Sequence, residues 1–504
     1  MAQTDQRTLF NLDRPFDGKT FKKLMQDGGY CETALAETLG ISCAHERQDV
    51  EVVYRRVRTD SPYNILVRLF WLGRGVSESV VRRELPGLDV EALEATGLLA
   101  RCDGMVRSNV RLGPYHELLL ASDFGPDTGH EMPADHVLGV GAASVTLASL
   151  TVRRNVETAL DLGTGAGIQA FLAARHADRV VGTDTNPRAL NFAMFNARLN
   201  VIDNVVWRQG SFYEPVADEQ FNLIAANPPF VISPESRFIF RDTGLPGDAV
   251  SEQVVRGASE RLKQGGFACI LFNWHHKGDE SWDSRPQSWV ADSGCDCWVV
   301  SFKSTDALSY AADWVGSTVG RSSRDYGRYL DEWMAYYEQM GIQRIGAGAM
   351  VMRKRTGQAN WFRAHALDRG SCTGSAAEQI ERIFATEDLL EALDDGQLLE
   401  QHLVFDKHHR LEHQLCIESG RWTVGVQRLY ASEGVPFAGN VDMYIESLLA
   451  GCTGQKTLRE VIKETAPRIQ ADPKELTPAC LNVIRKLMQS GFLSSVGGPR
   501  PSNP

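Results

Sequence analysis

Several features are missing from this chain, and each absence excludes something. No apolar run approaches the roughly 18 residues that a membrane-crossing helix needs, so no spanning segment and no membrane partner are expected. The start, MAQTDQRTLF, lacks the basic-then-apolar pattern of a secretory signal. Ten cysteines scattered over 504 residues make no disulfide framework; they point to reduced thiols and a cytoplasmic setting. Basic charge is not in excess: 53 Lys and Arg stand against 64 Asp and Glu, a net charge of −11. The whole molecule is therefore not steered toward nucleic acid, and only a local basic patch can serve that purpose. No internal repeat is evident. What remains, 43% hydrophobic and 23% charged residues, is the composition of a globular chain long enough for about two to four domains.

The informative stretch is Ala159 to Asp184, ALDLGTGAGIQAFLAARHADRVVGTD. A short apolar run ends at Asp161. Gly163, Gly165 and Gly167 follow at alternate positions, with Thr164 between the first two. Ile168 to Arg175 then reads as a helix, and Arg179 to Gly182 as a second short strand closed by Asp184. This is half of a doubly wound sheet, with a ligand-sized gap above the strand ends. Glycine lets the backbone turn sharply and approach a bound molecule closely. A carboxylate after the second strand can accept hydrogen bonds from a ribose diol. Alone, the turn marks either a nucleoside site or an ordinary strand-to-helix connection.

A second stretch, Phe221 to Phe230, narrows the choice. It reads FNLIAANPPF: an apolar strand running straight into Asn227-Pro228-Pro229-Phe230. Proline fixes its own φ and disfavours helix at the residue before it, so Asn227 is held at a strand end by a stiff turn. The side-chain amide of Asn227 both donates and accepts hydrogen bonds. It suits a planar amide or an amino-purine edge, and Phe230 can stack on such a plane or turn into the core.

Together DLGTGAG and NPPF resemble the class I S-adenosylmethionine-dependent methyltransferases. Within that class they are similar to the branch with an (N/D)PP(Y/F) signature, which methylates exocyclic amino groups of bases or the side-chain amide of glutamine. The resemblance covers roughly Val137 to Arg355. It implies an α/β fold with a Rossmann-like, seven-stranded, mostly parallel sheet, and S-adenosyl-L-methionine as cofactor. It implies that Asp161 lies near the methionyl end and that Gly163, Thr164, Gly165 and Gly167 wrap the cofactor. Asp184, with Thr185 beside it, holds the ribose hydroxyls. Ser211 and Phe212 lie at the adenine, Ser211 standing where an Asp is usual. Asn227, Pro228, Pro229 and Phe230 form the site for the target nitrogen. The implied partner is a macromolecular methyl acceptor. A protein glutamine, as in the release-factor glutamine methyltransferases, and a base in RNA or DNA both stay open; a small molecule is a third class. A dehydrogenase would share the glycine turn and the ribose carboxylate but has no use for NPPF.

The flanks suggest accessory domains. Residues 1–135 read as helix-rich with a winged-helix-like part: short helices at Ser77 to Leu85 and Val90 to Leu99, then strands from Met105 to Leu120 with a turn near Gly113-Pro114. The second of these helices, within DVEALEATGLL, is acidic, which favours a structural or protein-binding role over DNA reading. Ala121 to Asp135 reads as a linker or lid. Residues 136–355 form the methyltransferase domain, in which the loop from Val231 to Val250 offers Arg237, Arg241 and Asp242 to a substrate. Residues 356–504 form a C-terminal accessory domain, winged-helix-like toward its end. Asn273-Trp274-His275-His276, Cys295-x-Cys297 and the histidines His402, His408, His409 and His413 lack convincing ligand spacing, so no metal is expected. His409 and His413 are four apart and would share one face of a helix.

Overall fold

The computed structural model describes residues 9–40, 49–242, 244–278, 280–357, 359–367, 372–470 and 472–496. Contacts divide the chain into two compact units, Met1–Leu147 with Val156–His365, and Ala148–Asn155 with Ala366–Pro504.

A parallel sheet covered on both faces needs strands that are apolar throughout. The central strands of the first unit have that character over their buried parts, such as residues 159–162 and 180–183. Val156–Leu162 (β1), Ala177–Asp184 (β2), Val205–Gln209 (β3), Phe221–Ala226 (β4), Leu262–His276 (β5), Cys295–Asp306 (β6), Arg344–Lys354 (β7) and Phe362–Ala366 (β8) form one sheet. Its order is β8-β6-β7-β5-β4-β1-β2-β3. Neighbours from β3 across to β5 run parallel, while β7 is inserted antiparallel between β5 and β6. The expected fold class is present, and β8 adds an eighth strand at the edge beyond β6.

Helices Ala142–Leu150 (α1), Ile168–Ala173 (α2), Pro187–Asn200 (α3), Ala249–Arg261 (α4), Ser284–Trp289 (α5), Ala307–Thr318 (α6) and Tyr326–Met340 (α7) complete the layers. Asn186 caps α3 by accepting from the Arg188 N–H at 3.0 Å, and Pro187 takes the first helical position, where its missing N–H is not needed. Phe192, Phe195 and Leu199, spaced three and four residues apart, are buried, as helical periodicity predicts.

The N-terminal residues of this unit are bolted to α3. Phe10 stacks on Phe195 with ring centroids 3.8 Å apart. Asn196 accepts from the N–H of Ala121 at 2.7 Å and donates to its carbonyl at 3.0 Å; Asn200 does the same for Leu119 at 2.9 and 2.8 Å. Four helical residues rise about 6 Å and two strand residues about 6.7 Å, so asparagines one turn apart meet alternate residues of a strand. The strand is Leu118–Ser122, paired with Arg111–Tyr115. Its turn is His116-Glu117, with φ of 43° and 66°. Gly113 and Pro114, where the sequence suggests a turn, lie inside the strand instead. Leu119, opposite Pro114, sends its own N–H out to Asn200, so this pair makes no ladder bond and proline removes nothing. Upstream, helices Glu78–Glu84 and Val90–Ala95 precede a hairpin of Leu99–Cys102 and Met105–Ser108, so the second helix stops short of the expected Leu99 and the strands begin there, ahead of Met105.

The second unit holds a three-stranded sheet of Thr453–Thr457, His402–Phe405 and Leu493–Ser495, with helices Leu458–Thr465 and Pro473–Gln489. A separate three-stranded meander contains His409–Glu418. His409 and His413 therefore lie on a strand, not on a helix. Leu411, Leu415 and Ile417 recur with the two-residue period of a strand, which the histidine spacing masks. Among the described residues no helix is long and apolar enough to cross a membrane.

Candidate functional site

Register brings the two motifs together. Leu162 at the end of β1 pairs with Ala226 at the end of β4 and with Thr183 of β2. Gly163, Asp184 and Asn227 thus leave three adjacent parallel strands at one level. The sheet order reverses here, because β2 and β4 lie on opposite sides of β1; open α/β sheets bind ligands at such a point.

A cavity of about 1110 Å³ opens above these strand ends. Small-ligand pockets usually span about 300–1,000 Å³, so this one has room for a cofactor and part of a second molecule. Asp161, Gly163, Thr164, Gly165, Asp184, Thr185, Ser211, Phe212, Asn227, Pro228 and Pro229 all line it.

The glycine turn is built for close approach. Gly165 has φ of 54°, and a Cβ placed on it would meet no atom within 4 Å, so a side chain there would project into open space. Its N–H donates to Asp184 Oδ2 at 2.9 Å, and the other oxygen of Asp184 accepts from the Asn186 N–H at 2.9 Å. Asp184 therefore ties the turn to the start of α3; burial pushes its carboxyl up, against those hydrogen bonds. Asp161 is more deeply set. One of its oxygens accepts from Thr164 Oγ1 at 2.6 Å and from the Ala170 N–H at 2.9 Å. Burial pushes its carboxyl up to about 7. Gly167 caps α2 in the left-handed region but does not line the cavity.

At β4, Pro228 is buried and Pro229 half-buried. Among the described residues nothing hydrogen-bonds the side-chain amide of Asn227. Phe230 does not stack over the cavity. It rests on the apolar cluster of Ile232, Tyr310, Trp333 and Tyr337, turned toward α6 and α7. Phe212 lines the cavity from a strained backbone, with φ of 47°.

The loop after β4 differs from its expected role. Arg241 is buried and pairs with Asp242 at 2.7 Å and Glu235 at 2.9 Å, under Phe238 and Trp333. It holds the loop's shape and does not line the cavity, whereas Asp242 does. Arg237 is exposed. His275 sits 3.0 Å from Asp248, which also takes two bonds from Arg285, at 2.8 and 2.6 Å. This cluster lies away from the cavity wall, as do Cys295 and Cys297, buried in β6.

Sequence reasoning missed the other wall. Trp71, Arg111, Ser122, Asp123 and His136 line the same cavity from the N-terminal side. The Arg111 guanidinium lies 4.9 Å from the Trp71 ring centroid and 2.7 Å from Asp127. No local pattern marks these residues; Ser122 arrives on the Leu118–Ser122 strand that Asn196 and Asn200 hold, and His136 follows Asp135, whose carbonyl Asn186 holds. The stretch read as a linker or lid, Ala121 to Asp135, contributes Ser122 and Asp123 to this wall.

S-adenosylmethionine fits what is present. Asp184 and Asp161 bring carboxyl groups to the cavity and Gly165 leaves space for close approach.

Residues 139–282 match the Methyltransferase small domain family. Residues 27–109 and 381–495 match two domains of unknown function, DUF7059 and DUF7782. The release factor glutamine methyltransferase of Xylella fastidiosa (strain Temecula1) is 32% identical over 129 residues, 23% of this chain and 46% of the relative. The ribosomal protein uL3 glutamine methyltransferase of Bradyrhizobium diazoefficiens is 32% identical over 149 residues, 27% of this chain and 47% of the relative. An arsenite methyltransferase of Halobacterium salinarum is 40% identical over 91 residues, 17% and 23% of the two chains. The chain thus spans less than half the length of each of these three relatives. Among solved structures, the YcgJ protein of Bacillus subtilis overlaps 43% of this chain and 98% of its own at 16% identity and a TM-score of 0.29. The fold assignment rests on the strand order, not on that overlap. The resemblance to class I methyltransferases drawn from the two motifs is borne out by the family match and the glutamine-methyltransferase relatives.

Proposed function

We propose that this protein is an S-adenosylmethionine-dependent N-methyltransferase acting on the side-chain amide of a protein glutamine. The observation that carries the reading is the uncommitted amide of Asn227, held by two prolines beside the glycine turn and facing the same cavity. Bound S-adenosylmethionine supplies an electrophilic methyl group on a sulfonium. The chain's own residues do the rest by alignment.

An amide nitrogen is a weak nucleophile because its lone pair is delocalised. Asn227 Oδ1 and the Pro228 carbonyl accept hydrogen bonds from its N–H groups and favour pyramidal geometry at nitrogen. After transfer the nitrogen carries one proton too many, which is lost to solvent. Asp184 orients the nucleoside, and Asp161 faces the methionyl end. Trp71 and Pro114 line the same cavity from the N-terminal side. Glutamine is favoured over a base because two of the relatives are named for it and because the chain is acidic overall.

The test is transfer of labelled methyl groups from S-adenosylmethionine into fractionated protein, RNA and DNA, with Asn227→Ala as control. Label in glutamine of the protein fraction, lost in the variant, supports the reading. Label in a nucleobase moves the acceptor to RNA or DNA and leaves the reaction class intact. Label in no fraction contradicts it.

A further inference from the structure

His136 is a buried polar side chain of the cavity wall that the mechanism above leaves unused. It is 4% exposed. Its Nδ1 lies 3.7 Å from Asp123 Oδ2 and has no hydrogen-bond partner among the described residues. No hydrogen bond to the other ring nitrogen, Nε2, is found among the described residues, and the residue lines the cavity.

Asp123 is held in place. Both of its oxygens accept from the Arg188 guanidinium, and Oδ2 also accepts from the Val137 N–H at 2.8 Å. A carboxylate next to Nδ1 favours the tautomer protonated at that nitrogen, which leaves the Nε2 lone pair for the cavity. Burial holds the imidazole below its ordinary pKa; Arg188 and Arg111 act in the same direction, and Asp123 and Asp135 oppose them. The ring is accordingly a neutral acceptor.

The backbone shows what it can reach. The Ala134 carbonyl accepts from the Ile239 N–H at 3.0 Å, and the Asp135 carbonyl accepts from Asn186 Nδ2 at 3.0 Å. Asn186 is in turn bonded through its N–H to Asp184 at 2.9 Å. The strap that carries His136 is therefore pinned to the turn that carries Asp184. We propose that His136 Nε2 accepts a hydrogen bond from a nucleoside hydroxyl of the cofactor, so that the ribose is read by Asp184 and His136 together. The inference rests on the reading of this cavity as an S-adenosylmethionine site. It assigns to the N-terminal strap a part in cofactor selection.

The experiment is calorimetric titration of the full chain with S-adenosylhomocysteine and with its 2′-deoxy and 3′-deoxy analogues. His136→Phe is expected to weaken S-adenosylhomocysteine about ten-fold, the size of one neutral hydrogen bond. One of the deoxy analogues, weak for the wild-type chain, is expected to lose nothing further in that variant. His136→Gln, which keeps an acceptor at similar reach, is expected to fall between the two, and thermal unfolding of each variant controls for folding. Selective nitrogen-15 labelling of histidine is expected to show Nε2 of His136 unprotonated; a proton on Nε2 overturns the acceptor role. Equal binding by folded His136→Phe overturns this inference alone, as does a loss seen only in the KM of the methyl acceptor. No binding by the wild-type chain overturns the cavity assignment and this inference with it.

Discussion

A Cβ built on Gly163 would stand 3.8 Å from the carbonyl oxygen of Asn227. That proximity joins the two motifs, which lie more than sixty residues apart in sequence. It follows from the pairing of Leu162 with Ala226, since both chains leave the sheet at the next residue. Reactions that depend on alignment tolerate little displacement.

Asn227→Ala removes the acceptor and donor offered to the target nitrogen but leaves the cofactor end untouched. We expect methyl transfer to fall by about a hundred-fold or more, the scale of losing one well-placed polar group at a reacting centre. Binding of S-adenosylhomocysteine should change less than about three-fold. Parallel turnover and titration measurements check this, and a matched loss in both would place Asn227 in cofactor binding.

Gly165→Arg puts a long cationic side chain into the space that the turn leaves open, at a φ of 54° that such a residue seldom adopts. Adenosylmethionine binding should drop by about a hundred-fold or more while the far-ultraviolet circular dichroism stays that of the wild type. Unchanged affinity would remove the glycine turn from the site.

Asp161 gives a pH signature. Its carboxyl is pushed up to about 7 by burial. A protonated carboxyl offers no charge to the ligand's ammonium, so affinity for S-adenosylhomocysteine should rise between about pH 6 and pH 7.5, and Asp161→Asn should flatten the rise. The ligand-free protein shows the opposite sign. Between the unfolded pKa near 3.9 and the folded one, about 7, the native state keeps a proton that the unfolded state has lost, so stability falls as pH increases through that window. Titrations and denaturant melts across that range check both directions.

Asn196→Ala tests how the N-terminal wall is held. Asn196 is fully buried, and its loss strands the N–H of Ala121 and takes one donor from its carbonyl. We expect a cost of about 2–4 kcal/mol, with less from the partly exposed Asn200→Ala. Denaturant melts give the stability, and weakened cofactor binding in the folded variant would show that the wall acts on the site.

Much of the fold could be read from local pattern. The glycine turn, Asp184, the Asn186-Pro187 helix start and NPPF each declare themselves within a few residues, because turn and cap chemistry is local. Three readings needed the tertiary structure. Phe230 turns toward Tyr310 and Trp333, which lie far along the chain. Arg241 appears as a substrate-facing charge in sequence and is a buried clamp in the fold. Arg111, Asp123 and His136 reach the cavity through long-range bonds, from Asn196 and Asn200 to the Leu118–Ser122 strand, from Arg188 to Asp123 and from Asn186 to the Asp135 carbonyl. The turn at His116-Glu117 was hidden by a Gly113-Pro114 pair that an edge strand tolerates.

The most direct test of the central claim is a crystal structure of the full chain with S-adenosylhomocysteine bound. The arrangement predicts the ribose hydroxyls at Asp184 and the sulfur within about 8 Å of the Asn227 side chain, the span of one transferred methyl and one planar nitrogen group. A ligand seated in another cavity, or a sulfur more than about 15 Å from Asn227, would contradict it, because no methyl group can then pass between them.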